Sequence, residues 1–148
     1  MTNNAKATMM GSSSKHRSDL DFYETPLAVT KAFLEASGWR PKTNVIWEPA
    51  AGNGAIVDVI YDMLPGVTVT SDIKTRQRGL TLECDFLQHK WGEGLRFLEN
   101  KDIITNPPFS HAQEFVEKAL ELVTGDVVML LRLAFLETVQ RRKLFERK

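Results

Sequence analysis

Residues 44–54, NVIWEPAAGNG, carry the pattern on which the predicted fold depends. They begin with a short apolar run, Asn44 to Trp47, which is typical of a buried strand. The loop that follows contains Gly52 and Gly54, and glycine lets a backbone adopt unusual dihedral angles and approach a ligand closely. Apolar residues at helical spacing come next. The stretch therefore predicts a strand, a tight turn and a helix in succession.

The rest of the chain repeats this alternation. Four more strands are predicted, at 67–71, 80–84, 101–105 and 126–131. The predicted helices are 26–37, 56–63, 110–122 and a basic helix from about 135 onward. Thr25 is expected to cap the first helix, and Ser110 with Gln113 to form a capping box for the third. Because strands alternate with helices, we expect an α/β fold with a doubly wound, mainly parallel sheet.

The composition fits one ordinary globular domain. The chain has 148 residues, of which 43% are hydrophobic and 26% charged, and its formal net charge is zero. A zero net charge argues against a strongly basic coat for non-specific nucleic-acid binding. A single cysteine excludes an internal disulfide and a multi-cysteine zinc site, and the sequence contains no apolar run of transmembrane length. We expect a flexible tail over 1–19, a domain over 20–148 and a cytoplasmic location.

Polar side chains close four of the predicted strands. Glu48, Asp72, Asp85 and Asn106 each stand at or just beyond a strand end. In a doubly wound sheet, ligands bind outside the carboxyl ends of the strands. Asp72 lies 20 residues beyond Gly52, which is about the spacing at which an acid meets ribose hydroxyls. Taken alone, Asp72 is equally typical of a helix cap or a surface acid, and Asp85 is more typical of a cap or turn residue.

The glycine loop and the segment 106–109 suggest different ligands. The loop lacks the third glycine of the dinucleotide fingerprint and the Gly-Lys-Ser/Thr of a P-loop, and its acid, Glu48, suits a cationic ligand. In Asn106-Pro107-Pro108-Phe109, the prolines stiffen the backbone and remove two donors. The acceptors and the flat apolar face of this segment suit a planar amine donor, although a rigid turn before a helix is the alternative interpretation.

Three motifs together resemble a known family. Residues 48–54, EPAAGNG, look like the S-adenosylmethionine loop of class I methyltransferases, and 106–109, NPPF, look like the catalytic motif of enzymes that methylate adenine N6 and related nitrogens. Residues 21–26, DFYETP, resemble an aromatic-Thr-Pro segment of DNA adenine methyltransferases. From about Asp21 onward the chain is similar to phage- and prophage-type DNA adenine-N6 methyltransferases. The resemblance implies a Rossmann-like fold, S-adenosyl-L-methionine as cofactor, and DNA with a flipped-out adenine as substrate.

The resemblance also implies a role for individual residues. The residues implied in catalysis are Asn106, Pro107, Pro108 and Phe109. Those implied in cofactor binding are Phe22, Tyr23, Thr25, Pro26, Glu48, Ala50, Gly52, Gly54, Asp72, Ile73, Asp85 and Phe86. Asn106 and the Pro107 carbonyl would accept hydrogen bonds from the adenine amine, and Phe109 would stack on the base. No metal is expected, because the three histidines show no metal-ligand spacing.

Several alternatives fit the same motifs. A related enzyme acting on RNA or on a protein glutamine amide needs the same acceptors, and a cytosine-N4 enzyme more often has Ser at the position of Asn106. An inactive remnant that binds only cofactor or a partner is a third possibility. The family's sheet usually has seven strands, and we expect five here, without the terminal antiparallel hairpin. An uncovered strand edge then predicts self-association or a partner chain.

Overall fold

The computed structural model describes residues 23–74, 79–88 and 100–146. The strands are β1 (Val45–Glu48), β2 (Val67–Asp72), β3 (Leu82–Glu83), β4 (Asp102–Thr105) and β5 (Val127–Met129). The α-helices are α1 (Leu27–Ser37), α2 (Ala55–Met63), α3 (Ala112–Leu122) and α4 (Val139–Phe145). Two 3-10 turns, Phe109–His111 and Leu133–Glu137, precede α3 and α4.

The five strands form one parallel sheet in the order β3-β2-β1-β4-β5. The chain builds outward from β1 through β2 to β3, and then returns to place β4 on the other side of β1. This confirms the predicted α/β class and a Rossmann-like arrangement. The reversal of direction puts a switch point between β1 and β4, where the carboxyl ends of doubly wound strands leave a crevice.

The central strands bury both of their faces. Trp47 and Ile103 point into a core with Phe86 and the helix α3, whereas the neighbouring Ile46 and Ile104 point into a second core with α1 and α2. Alternate residues of one strand therefore face opposite cores, as the pleat requires. The continuous apolar runs predicted as strands follow from this two-sided burial.

Local structure differs from the predictions mainly at helix ends. Thr25 does not cap α1, whose N-cap is Pro26 without a side-chain hydrogen bond. The predicted capping box is also wrong: α3 has His111 as N-cap, again without a side-chain cap. The reason is the 3-10 turn that the prolines lead into, where the His111 N–H donates to the Pro108 carbonyl at 3.0 Å. By contrast, Gly38 ends α1 as predicted, in the left-handed region with φ 64°.

Two strands and the last helix are shorter than predicted. β3 comprises only Leu82 and Glu83, and β5 only Val127–Met129, which are half-buried. In the described part of the chain, β5 pairs with β4 alone. The last helix begins at Val139, because Phe135 instead packs within a 3-10 turn against α3. Self-association through the edge of β5 stays a prediction.

A buried carboxylate joins the amino ends of β1, β4 and β5. Asp102 is fully buried at the start of β4. Its Oδ2 accepts from the Thr43 backbone N–H at 2.8 Å and from the Thr43 hydroxyl at 2.7 Å, and its Oδ1 accepts from the Asp126 N–H at 2.6 Å. Asp102 thus connects the segments that enter β1 and β5 with β4. A buried charge is tolerated where donors surround it in this way.

We expect Asp102→Ala to lower the free energy of unfolding by roughly 2–4 kcal/mol, because it leaves three partly buried donors without an acceptor. The matched control is Asp62→Ala, in which an exposed carboxylate of α2 is removed, with an expected change within about 0.5 kcal/mol. Urea denaturation of both variants measures the difference. Equal stability of the two variants would show that Asp102 does not hold the strand ends together.

Candidate functional site

The fold brings the predicted polar residues to one edge of the sheet. Glu48 is the last residue of β1 and Asp72 the last of β2, while Asp85 follows β3 and Asn106 follows β4. Since all strands are parallel, these four residues stand at the carboxyl edge. Glu48 and Asn106 flank the switch point between β1 and β4.

The glycine loop is held against the end of β2. Gly52 and Gly54 have positive φ angles of 55° and 91°, which other residues rarely adopt. The Gly52 N–H donates to Asp72 Oδ2 at 2.8 Å, and the Lys74 N–H donates to Asp72 Oδ1 at 3.0 Å. Asp72 therefore fixes the path of the loop. A carboxylate has about four acceptor positions, so each oxygen can still accept from a ligand hydroxyl.

Glu48 is a fully buried carboxyl with one unsatisfied oxygen. Its Oε1 accepts from the Ala50 N–H at 3.1 Å and from the Thr105 hydroxyl. Its Oε2 is buried without a hydrogen-bond partner among the described residues. Burial raises the pKa of Glu48 to about 8, the nearby charge of Asp72 adds to the rise, and the Thr105 and Ala50 hydrogen bonds oppose it. At neutral pH the carboxyl keeps its proton, and a cationic ligand would favour its release.

Asn106 is fixed by the segment before α1. Its side-chain NH₂ donates to the Thr25 hydroxyl at 2.8 Å and to the Tyr23 carbonyl at 3.4 Å. A carbonyl only accepts, so this contact directs the nitrogen toward Tyr23 and leaves Oδ1 as the acceptor. Oδ1 is buried and has no hydrogen-bond partner in the described structure. The site thus contains two buried side-chain oxygens without a partner in the described structure, Glu48 Oε2 and Asn106 Oδ1, one from each side of the switch point.

Aromatic rings and a guanidinium lie beside Asn106. The ring centroids of Tyr23 and Phe109 are 5.5 Å apart at an interplanar angle of 43°. The guanidinium of Arg132 lies 4.2 Å from the centroid of Phe109. Tyr23 is 59% exposed, so this side of the site is accessible to solvent.

The remaining predicted cofactor residues divide into exposed and buried ones. Ile73 is 60% exposed at the end of β2, as an apolar surface available to a ligand would be. Asp85 is half-buried and accepts from the Leu87 N–H at 2.9 Å. Phe86 is only 2% exposed and packs edge-on against Trp47 in the core, so it supports the site from beneath and has no open face toward it.

Three further predicted residues differ in their exposure, and a fourth falls outside the described part of the chain. Pro26 is exposed at the start of α1, Pro107 is buried, and Ala50 is half-buried behind Glu48. Phe22 lies outside the described residues.

Sequence reasoning missed two residues of the site. Thr105 supplies the hydroxyl that holds Glu48, and Arg132 covers Phe109. A polar residue directly before the segment 106–109, at the end of an apolar strand, is a signal that points to Thr105. Arg132 has no comparable signal, because its position depends on how β5 pairs with β4.

The described residues offer neither a metal centre nor a membrane-spanning helix. In residues 23–74, 79–88 and 100–146, no group of three or more His, Cys, Asp or Glu side chains is placed to hold a metal ion. None of the helices described there is long and apolar enough to cross a membrane. No protein-family model and no curated protein matches the chain.

The raised pKa of Glu48 predicts a pH-dependent stability. Between the unfolded pKa near 4.5 and the folded pKa of about 8, only the folded state keeps this proton. Stability from this group is therefore lost as the pH rises through that range, at a limiting slope of about 1.4 kcal/mol per pH unit. Glu48→Gln retains the acceptor for Thr105 and cannot ionise.

We expect the free energy of unfolding of Glu48→Gln, minus that of the wild type, to increase as the pH rises from 5 to 8. Urea denaturation at several pH values across that interval measures the difference. Glu35→Gln, at an exposed position of α1, serves as the control and should follow the wild type. Parallel pH profiles for Glu48→Gln and the wild type would mean that Glu48 ionises normally in the fold.

Proposed function

We propose that the chain is an S-adenosylmethionine-dependent methyltransferase that acts on the exocyclic N6 amine of adenine in DNA. The observation that carries the proposal is the buried, unpartnered Oδ1 of Asn106, set beside Phe109 at the switch point. An orphaned acceptor is costly unless a donor completes it, so the site favours a ligand with an N–H group. A planar amine that stacks on a ring meets both requirements.

The chemistry of the amine explains why an acceptor is needed. The lone pair of an adenine amino nitrogen is delocalised into the ring, so the nitrogen is a poor nucleophile. Hydrogen bonds from N6–H to Asn106 and to a backbone carbonyl favour a tetrahedral nitrogen and stabilise its developing positive charge. The Pro108 carbonyl already accepts from His111, so we assign the backbone role to Pro107.

The residues implied in cofactor binding offer chemical groups that suit S-adenosylmethionine. Glu48 Oε2 is buried without a partner in the described structure, and a positively charged ligand group would favour the ionised carboxylate and pair with it. S-adenosylmethionine carries an ammonium group and supplies an electrophilic methyl group on a sulfonium. Asp72 has remaining acceptor positions for ribose hydroxyls, and the exposed Ile73 offers an apolar surface for adenine.

The protein's part in the reaction is orientation and polarisation. The amine lone pair attacks the methyl carbon in line as the carbon–sulfur bond breaks, and the site holds both partners in that geometry. Asn106 orients the amine but is too weak a base to remove a proton. The proton left on the methylated nitrogen therefore departs to solvent.

The segment before α1 supports DNA as the substrate. Thr25 and the Tyr23 carbonyl both hold the Asn106 side chain, so the aromatic-Thr-Pro segment is part of the same site as the NPPF motif. That segment carries the resemblance to DNA adenine methyltransferases. A base inside a duplex cannot reach a buried acceptor, so the adenine must be flipped out.

The proposal is tested by incubating the protein with tritiated S-adenosylmethionine and separate samples of DNA, RNA and protein. We expect label in DNA, and a loss of transfer on the order of 10²-fold or more in Asn106→Ala. Cofactor binding should change little in this variant. The control is Asn44→Ala, at an exposed position before β1, which should transfer at the wild-type rate.

Label in RNA or protein would reassign the substrate, and no label in any of the three would refute the proposed activity. Equal losses of cofactor binding and turnover in Asn106→Ala would give the residue a structural role.

Asp72→Asn tests the cofactor site separately. Replacing one carboxylate oxygen by an NH₂ donor removes an acceptor for the ribose hydroxyls, so we expect cofactor binding to weaken by roughly 1–3 kcal/mol. Isothermal titration calorimetry measures the affinity, and Asp62→Asn on α2 is the control. Because Asp72 also holds Gly52 and Lys74, a thermal melt must show that the variant is folded. An unchanged affinity in the folded variant would exclude Asp72 from the cofactor site.

A further inference from the structure

A planar cation already covers the ring that the proposed substrate needs. The guanidinium carbon of Arg132 lies 4.2 Å from the ring centroid of Phe109 and 6.0 Å from that of Tyr23. At 4.2 Å the guanidinium is in van der Waals contact with the Phe109 ring. A planar base cannot stack at the same place on that ring while Arg132 remains there.

The topology explains why Arg132 is at this edge. β4 and β5 are parallel neighbours, with Thr105 opposite Met129, so the chain leaves both strands on the same side of the sheet. The Leu130 N–H extends this pairing by donating to the Thr105 carbonyl at 3.0 Å. Arg132 follows two residues later, beside the segment that begins at Asn106.

The charge of Arg132 has no carboxylate partner in the described structure. The side chain is exposed, and none of the ion pairs found within residues 23–74, 79–88 and 100–146 involves it. A guanidinium is always charged, and its N–H donors form a planar fork that matches the oxygens of a phosphate. Arg132 is exposed, has no carboxylate partner among the described residues, and contacts Phe109 of the segment that begins at Asn106. It is therefore placed to bind an anionic group near the proposed site of the reactive amine.

We infer that Arg132 selects substrates whose reactive base is carried on a phosphate backbone. This inference rests on the proposed function, in which a planar base occupies Phe109. When the base enters, Arg132 leaves the ring and pairs with a phosphate that flanks the base. The exchange favours nucleic acid over a glutamine side chain, which brings no phosphate to replace the lost contact between cation and ring.

The test compares the affinities of two proteins for two single-stranded oligodeoxynucleotides that each contain one adenine. In one, all linkages are phosphodiesters; in the other, the two linkages that flank the adenine are uncharged methylphosphonates. Fluorescence anisotropy measures the affinity of the wild type and of Arg132→Ala for both. We expect the wild type to bind the neutralised strand about tenfold more weakly, and Arg132→Ala to bind the two strands equally.

The salt dependence gives a second readout. Arg132→Ala should reduce the slope of log affinity against log salt concentration by about 0.7 for the phosphodiester strand, the value for one phosphate contact on a single strand. Arg132→Lys keeps the charge and should retain the slope while losing part of the affinity, since a lysine has no planar fork. Arg40→Ala is the control: Arg40 is also exposed but precedes β1, at the opposite edge of the sheet, and its variant should keep the wild-type difference between the strands.

Equal affinity of the wild type for the two strands would overturn the inference, as would an Arg132→Ala variant that retains the tenfold difference. The outcome is independent of methyl transfer. Binding that depends on Arg132 and on the flanking charges, without any transfer, would support this inference and refute the proposed activity. Transfer to DNA with no effect of Arg132 on binding would support the proposed activity and refute this inference.

Discussion

The hydrogen bond from the Thr105 hydroxyl to the buried carboxyl of Glu48 joins the carboxyl ends of β1 and β4. These are the two strands between which the chain changes direction, so the contact spans the switch point of the sheet. Burial raises the pKa of this carboxyl, and the hydrogen bonds to its Oε1 offset part of the cost of removing it from solvent. The glycine loop follows Glu48 and the NPPF segment follows Thr105, so this contact, together with the pairing of β1 with β4, sets the relative position of the two motifs.

A second set of contacts adds the segment before α1 to the same site. Asn106 contributes its NH₂ group to Thr25 and Tyr23, and this fixes which of its atoms faces inward as an acceptor. The three motifs are separated by tens of residues in the sequence, yet hydrogen bonds hold them together at one side of the site. In Asn106, the amide nitrogen stabilises the fold through its hydrogen bonds, whereas Oδ1 has no partner in the described structure and is available to a ligand.

Sequence patterns predicted the class of the fold well. Apolar runs such as 101–105 become strands buried on both faces, and polar residues at their ends mark the carboxyl edge. Helix boundaries were predicted less well, because local capping signals compete with tertiary contacts. Thr25 is a good N-cap residue, but its hydroxyl accepts from Asn106 instead. Ser110 and Gln113 fail for a different reason, since the rigid prolines before them impose a 3-10 turn.

The sequence by itself determined the alternation of strands and helices, the position of the two glycines, and the polar residues at the strand ends. These features depend on periodicity and on backbone freedom, which are local properties. Only the tertiary structure decided which polar atoms are buried without partners, that Phe86 belongs to the core, and that Arg132 covers Phe109. Burial and the pairing of charged or aromatic groups depend on neighbours that are distant in the chain, and strand order brings them together.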